Sequence, residues 1–204
     1  MKRVALGVRV HSGWAVLVAV AANRGEMELA ARQRLVIAEP KMRGGNQPYH
    51  FAAGLGPSAV PKFLETYAAA CERQAAQALR AVGAELTSRE YRIAGCAILL
   101  ASGRPLPALD RILSSHPLIH TAEGEFFRNT VRRACERLGI RIRGVRQRDL
   151  NVEAAAAFGK AAPRLERSIQ EMGRAAGPPW TSDQKAATLA AWLVLADPSN
   201  QHRK

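Results

Sequence analysis

The segment Ile119–Arg128, IHTAEGEFFR, sets His120, Glu123 and Glu125 close together, and a further carboxylate, Asp183, stands near the C-terminal end in SDQKAATLAAWL. An imidazole with several carboxylates can move protons, and carboxylate oxygens are the ligands that magnesium and manganese prefer. Glu123, Glu125 and Asp183 are therefore the candidate catalytic set for a metal-dependent nuclease or other hydrolase, and Mg or Mn would be a cofactor only on that reading. A purely structural account also covers them, because acids in the first turn of a helix interact well with its dipole. Thr181 and Gln184 form a capping-box pattern that puts Asp183 at the second helical position. His11 and Ser12 occupy a turn near the N-terminus and are further candidates.

The loop segment GNQPYHFAAG carries Tyr49 and His50 beside Arg43. Either ring could stack on a splayed base, although a plain surface loop would have the same composition. Other signatures are missing from the sequence: there is no G-x-x-x-x-G-K-[ST], no H-E-x-x-H and no G-x-S-x-G.

The charge balance points to a polyanion. There are 30 basic residues against 17 acidic, a net charge of +13, and lysine supplies only Lys2, Lys41, Lys62, Lys160, Lys185 and Lys204. Guanidinium forks pair with phosphates bidentately, so nucleic acid is the expected partner, DNA or RNA being left open. A nucleotide-composition bias that converts lysine codons to arginine would give the same excess. The densest cluster contains Arg128, Arg132, Arg133, Arg137, Arg141 and Arg143, continuing to Arg146 and Arg148. Arg128 and Arg132, like Arg133 and Arg137, share a helix face at four-residue spacing, and Arg141 and Arg143 share a strand face. They form either a phosphate-binding stripe or a solvated face paired with acids such as Glu136.

Cys71, Cys96 and Cys135 are far apart in apolar sequence and fit neither a zinc spacing nor a disulfide framework, so they are expected to be buried free thiols. No metal site is expected from the sequence. Met1-Lys2-Arg3 imitates a leader, but Arg9 and His11 interrupt the apolar run that a leader needs, and Trp14 to Ala22 is short for a membrane span. A cytoplasmic chain with no membrane association is expected.

These residues need elements to position them. In ALGVRVHSGWAVLVA, Val4, Leu6, Val8 and Val10 alternate as a strand with one face on the core, His11-Ser12-Gly13 turns, and Trp14 to Val20 forms a second strand. Asn23-Arg24-Gly25 turns again into a third strand over about Arg32 to Ala38. Residues 40 to 56 read as loop. Pro57-Ser58 then introduces a long helix with Leu64, Ala68, Cys71, Ala75, Leu79 and Val82 on one face. YRIAGCAILLA, Tyr91 to Ala101, is a strand buried on both sides. A helix from about Glu123 to Leu138, a strand IRIRGVR, a helix capped by Asp149 or Asn151, and a last helix from Ser182 to Ala196 complete the chain. One domain over residues 1–197 and a frayed tail over 198–204 are expected.

Right-handed crossovers would make the first, fourth and fifth strands parallel, with the meander on the other side. The fold class is therefore α/β, a five-stranded mixed sheet in order 3-2-1-4-5 with helices on both faces. His11, His120, Glu123, Glu125 and Asp183 would then meet where ligands usually bind, outside the carboxyl ends of the strands.

This order resembles the ribonuclease H-like superfamily, and within it the RuvC-like Holliday-junction resolvases. ALGVRVHSGWAVLV is similar to their opening, Leu-Gly-Ile-Asp-Pro-Gly leading to Gly-Tyr-Ala-Val, and SDQKAATLAAWL is similar to their final helix. The resemblance covers about Val4 to Ala196. It implies two divalent metals held by about four carboxylates: one from the first strand, one from the end of the fourth, and one or two from the last helix. Here the first-strand position is Arg9, and the fourth strand has no acid and ends at Ser102 and Arg104. The best-aligned last-helix positions are Ala186 and Ala187, with Asp183 a turn earlier. A guanidinium repels the two dications that such a centre needs.

The sequence therefore reads as a ribonuclease H-like domain that lacks two-metal nuclease chemistry and binds or scaffolds nucleic acid. Arg9, Arg104 and the arginines from Arg128 to Arg143 would make the phosphate contacts. The rearranged acidic site is the alternative. A protein-interaction module, a homodimer through the sheet edge or last helix, is a third reading.

Overall fold

The computed structural model describes every residue except 24, 25, 40, 102, 104 and 198–204. Its strands are β1 (Lys2–His11), β2 (Trp14–Asn23), β3 (Glu26–Val36), β4 (Tyr91–Leu100) and β5 (Ile142–Arg146). Its helices are α1 (Pro48–Ala53), α2 (Val60–Ser88), α3 (Leu109–Leu113), α4 (His116–Arg137), α5 (Leu150–Phe158), α6 (Ala162–Ala176) and α7 (Ser182–Ala196). β1 pairs antiparallel with β2, and β2 antiparallel with β3, whereas β4 runs parallel to both β1 and β5. The sheet has five strands in order 3-2-1-4-5, as the sequence pattern requires.

The alternation along β1 divides the molecule into two layers. Val4, Leu6, Val8 and Val10 enter a core shared with Leu79 and Val82 of α2 and with Phe127 and Val131 of α4. Ala5 faces the other way, into a core built with Val16 and Val18 of β2, Ala97 and Leu99 of β4, and Ala187, Ala190 and Leu193 of α7. Burying one large side chain of this kind, such as the fully buried Phe127, contributes about 1.5–3 kcal/mol. β4 contributes to both cores, which explains its unbroken apolar run.

Two glycines set the geometry of the β1–α7 side. A Cβ on Gly7 would lie 1.8 Å from the carbonyl oxygen of Ala187, so α7 rests on β1 backbone to backbone. The small residues Ala187, Ala190 and Ala191 permit that approach. Gly13 has φ +79° in the turn between β1 and β2, a conformation costly for side chains other than glycine. Its carbonyl accepts the N–H groups of Ile37 and Ala38, tying the end of β3 to the turn.

The structure departs from the sequence expectation in several places. β3 begins at Glu26 and ends at Val36, and the short helix α3 follows β4. The segment after β5 forms the two helices α5 and α6, and Asp149 stands at the N-cap of α5 without a side-chain cap hydrogen bond. The loop after β3 contains the short helix α1, and α4 begins at His116, seven residues before Glu123. A six-residue helix is too short to show a hydrophobic period. The early start of α4 follows from Ser115 at the N-cap and Pro117 in the first turn, a position where proline is favoured. The turn at residues 24–25, the expected tail at 198–204, and Ser102 and Arg104 lie outside the described residues. Among the described residues no helix is long and apolar enough to cross a membrane.

Candidate functional site at the carboxyl end of the sheet

Arg9 and His11 share the parity of Ala5 and Gly7 and so project toward α7 from the carboxyl end of β1. The capping box forms there: Asp183 N–H donates to Thr181 Oγ1 at 3.3 Å, and Thr181 N–H donates to Gln184 Oε1 at 2.9 Å. It starts α7 at Ser182 and holds Asp183 in the first turn, over the end of β1. His11 Nε2 lies 2.8 Å from Asp183 Oδ2, and Arg9 Nε lies 3.6 Å from Asp183 Oδ1. All three side chains are about a quarter exposed, at 23%, 25% and 30% for Arg9, Asp183 and His11. Their attraction therefore acts in a medium less screened than open water. Arg9 Nε is buried and makes no hydrogen bond among the described residues, so its tie to Asp183 is electrostatic.

The same row of the sheet carries an aromatic stack. His11 lies flat on Trp14, with centroids 4.2 Å apart and planes 12° from parallel, and the Arg34 guanidinium sits 4.1 Å from the Trp14 ring centre. Arg9 is in register with Val16, and Val16 with Arg34, so both guanidinium groups stand on one face, flanking β2. Strand spacing sets their backbones about 10 Å apart. Ser12 is exposed at the tip of the turn.

A second cluster forms on the opposite layer, where α1 meets α4. Glu123 is 2% exposed, and its Oε1 accepts the N–H groups of Tyr49 and His50 at 3.2 Å each and meets His50 Nδ1 at 3.0 Å. Those N–H groups belong to the first turn of α1 and have no partner within that helix, so Glu123 caps it from another element. The Tyr49 hydroxyl is held above its ordinary range, chiefly by burial and secondarily by the Glu123 charge. Its ring meets Phe126 edge-on at 6.2 Å, so Tyr49 faces the interior. His120 packs edge-on against His50 at 4.7 Å, and His116, which the sequence reading did not single out, packs against both. The pattern His116-x-x-x-His120 was visible in the sequence. It gains meaning only once α4 is known to begin at His116.

The carboxylates expected to act together are not brought together. Asp183 belongs to the α7 layer and Glu123 to the α4 layer, and Glu125 pairs with Arg128 at 2.9 Å. Among the described residues, the histidine, cysteine and acidic side chains close enough to share a cation are His50, His116 and His120.

The arginine cluster meets acids of its own chain. Arg128 is largely buried, and Arg132 pairs with Glu136 at 3.2 Å. Arg133 and Arg137 clamp the buried Glu72 at 2.8 Å and 2.7 Å. Arg141 faces Asp197 at 3.6 Å. Arg143 reaches Glu153 at 2.8 Å and donates to the carbonyl of Leu193 at 3.1 Å. Arg143 is in register with Ala97, on the face that α7 covers, so the last strand turns it inward. Cys71, Cys96 and Cys135 are buried and free.

No protein-family model and no curated protein matches the sequence. Solved structures do. The chain is similar to Thermus thermophilus RuvC in complex with Holliday junction substrate, with 9% identity, a TM-score of 0.50, and coverage of 94% of this chain and 91% of that one. The fold is RuvC-like. The Thermus thermophilus RuvC structure matches at 10% identity and a TM-score of 0.46, over 94% of this chain and 92% of that one. In this RuvC-like fold, β1 and α7 bring Arg9 and Asp183 side by side.

Proposed function

We propose that the chain is a RuvC-like domain that binds nucleic acid across the carboxyl end of its sheet without two-metal cleavage. The observation that carries this reading is the guanidinium of Arg9 beside Asp183 at 3.6 Å. The resemblance to RuvC-like resolvases implies a metal-ligating acid at that strand position. Here a fixed monovalent cation neutralises the helix carboxylate instead. β4 ends at Leu100 with no acidic residue along its length, so the oxygen ligands that hard divalent ions require are few on this side.

Several features support binding. The net charge is +13, the Arg9–Arg34 row is aromatic and basic, and exposed Lys185 and Arg146 stand at the same end of the fold. Arginine and a flat ring pair suit a phosphate backbone and an unstacked base. The related fold in the Thermus thermophilus structure is in complex with a Holliday junction, which makes branched DNA the first probe. Arg9 and Arg34 are the proposed phosphate contacts. Arg133 and Arg137 clamp Glu72 on the α2–α4 layer, away from the Arg9–Arg34 face, and contribute mainly to the long-range field.

The test is fluorescence anisotropy of labelled junction, linear duplex and single-stranded RNA between 50 and 200 mM salt. Binding that weakens at least about tenfold over that range, and weakens further in Arg34→Gln, is expected. No retention on any of the three at low salt, with a dimer eluting from a sizing column, would favour the protein-interaction reading instead.

A further inference from the structure

We propose that His50, His116 and His120 bind one divalent transition-metal ion of the zinc type, with Glu123 orienting His50. Three of the chain's five histidines converge here, and one ring nitrogen of each lies within 4.8 Å of the others. His116 and His120 are one turn apart on α4, the spacing that turns two imidazoles toward one point. His50 reaches the same point from α1, with ring centroids 5.1 Å and 4.7 Å from those of His116 and His120.

The tautomer follows from the hydrogen bonds. Glu123 Oε1 already accepts two backbone N–H groups, so it acts as an acceptor, and His50 Nδ1 must be the donor in their 3.0 Å contact. That leaves the Nε2 lone pair of His50 free to ligate. A carboxylate holding the far nitrogen of a histidine is the arrangement that fixes metal-binding imidazoles. Glu123 is itself fixed, being 2% exposed and held by α1. The part of the site that must be rigid is therefore built in.

Tetrahedral zinc with Zn–N bonds of about 2.0–2.1 Å sets its ligands about 3.3 Å apart. His116 and His120 are exposed, which leaves their rings room to turn toward that spacing. Three neutral imidazoles favour zinc, copper, nickel or cobalt over magnesium and calcium, which require oxygen. Zinc with three histidines keeps a fourth place for water, and the exposure of two ligands turns that place toward solvent. The ion would pin α1 to the start of α4. This site is independent of the Arg9 surface and stands whether or not the chain binds nucleic acid.

The experiment uses the full chain, untagged and stripped with chelator. Zinc is titrated by calorimetry, cobalt by visible absorption, and each complex is followed by thermal melting. One equivalent of zinc per chain is expected, with an intense four- or five-coordinate cobalt spectrum. Zinc at a hundred times its dissociation constant should raise the melting temperature by roughly 5–10 °C. His116→Ala and His120→Ala, both at exposed positions, should each weaken zinc by about 100-fold or more, and Glu123→Gln by about 10–100-fold. Circular dichroism checks that each variant is folded. If Glu123→Gln does not fold, the two exposed variants decide. The proposal is overturned by zinc affinity unchanged in those two variants, by a weak six-coordinate cobalt spectrum, or by no binding at micromolar zinc.

Discussion

Arg9 Nε and Asp183 Oδ1 stand 3.6 Å apart, which joins the first strand to the last helix through opposite charges. The bond is possible because Gly7 lets α7 settle on β1 and because the capping box starts α7 above the strand end. Replacing Arg9 with Gln leaves Asp183 with His11 as its remaining partner. The pair lies between the exposed and buried limits, so Arg9→Gln should lower stability by about 1–2 kcal/mol. Urea denaturation measures this, and Asp183→Asn in the same background should add little.

Gly7→Ala drives a methyl group into the Ala187 carbonyl, which a helix backbone cannot yield without moving. A loss of about 3 kcal/mol is expected, with a fall in melting temperature of roughly 6–12 °C. The same substitution should loosen the Arg9–Asp183 contact.

Much of this architecture could be read from the residues. Alternation in Val4–Val10 and the unbroken apolar run of β4 are direct consequences of one-sided and two-sided burial, so strand order followed. The Thr181–Gln184 capping box is local chemistry, and it formed as read. The second cluster was less legible. α1 takes its cap from Glu123, more than seventy residues away in sequence, which no local pattern reveals. The sequence pattern starts α4 at about Glu123, which puts both His116 and His120 before the helix and hides the face they share. Arg128 and Arg132 do lie one turn apart, yet the packing of α4 buries the first and exposes the second.

Charge removal separates the two arginine groups. Arg9→Gln and Arg34→Gln should each reduce the logarithmic salt slope of nucleic-acid binding by about 1. Arg133→Gln with Arg137→Gln should leave the slope nearly unchanged and cost about 3 kcal/mol of stability, because Glu72 then stays buried without a cation. Anisotropy against salt and urea unfolding, run on the same preparations, distinguish the outcomes.

Burial pushes the Cys71 thiol up to about 11, against a Tyr67 hydrogen bond that lowers it, and the nearby Glu72 charge raises it further. An unfolded cysteine ionises near about 8.5. The folded value is the higher one, so this group's stabilising contribution is complete below about pH 8.5 and is lost as the pH rises toward 11. Iodoacetamide at pH 8 should leave Cys71 unmodified in the folded chain and label it in urea. Mass spectrometry of the labelled peptides is the readout.

The decisive measurement is incubation of the chain with a labelled four-way DNA junction in magnesium and then in manganese, resolved on native and denaturing gels. A salt-sensitive complex with intact strands, weakened by Arg9→Gln, is the expected result. Metal-dependent strand cleavage that Asp183→Asn abolishes would show that the Arg9 cation does not displace catalytic metals, and would contradict the proposed function.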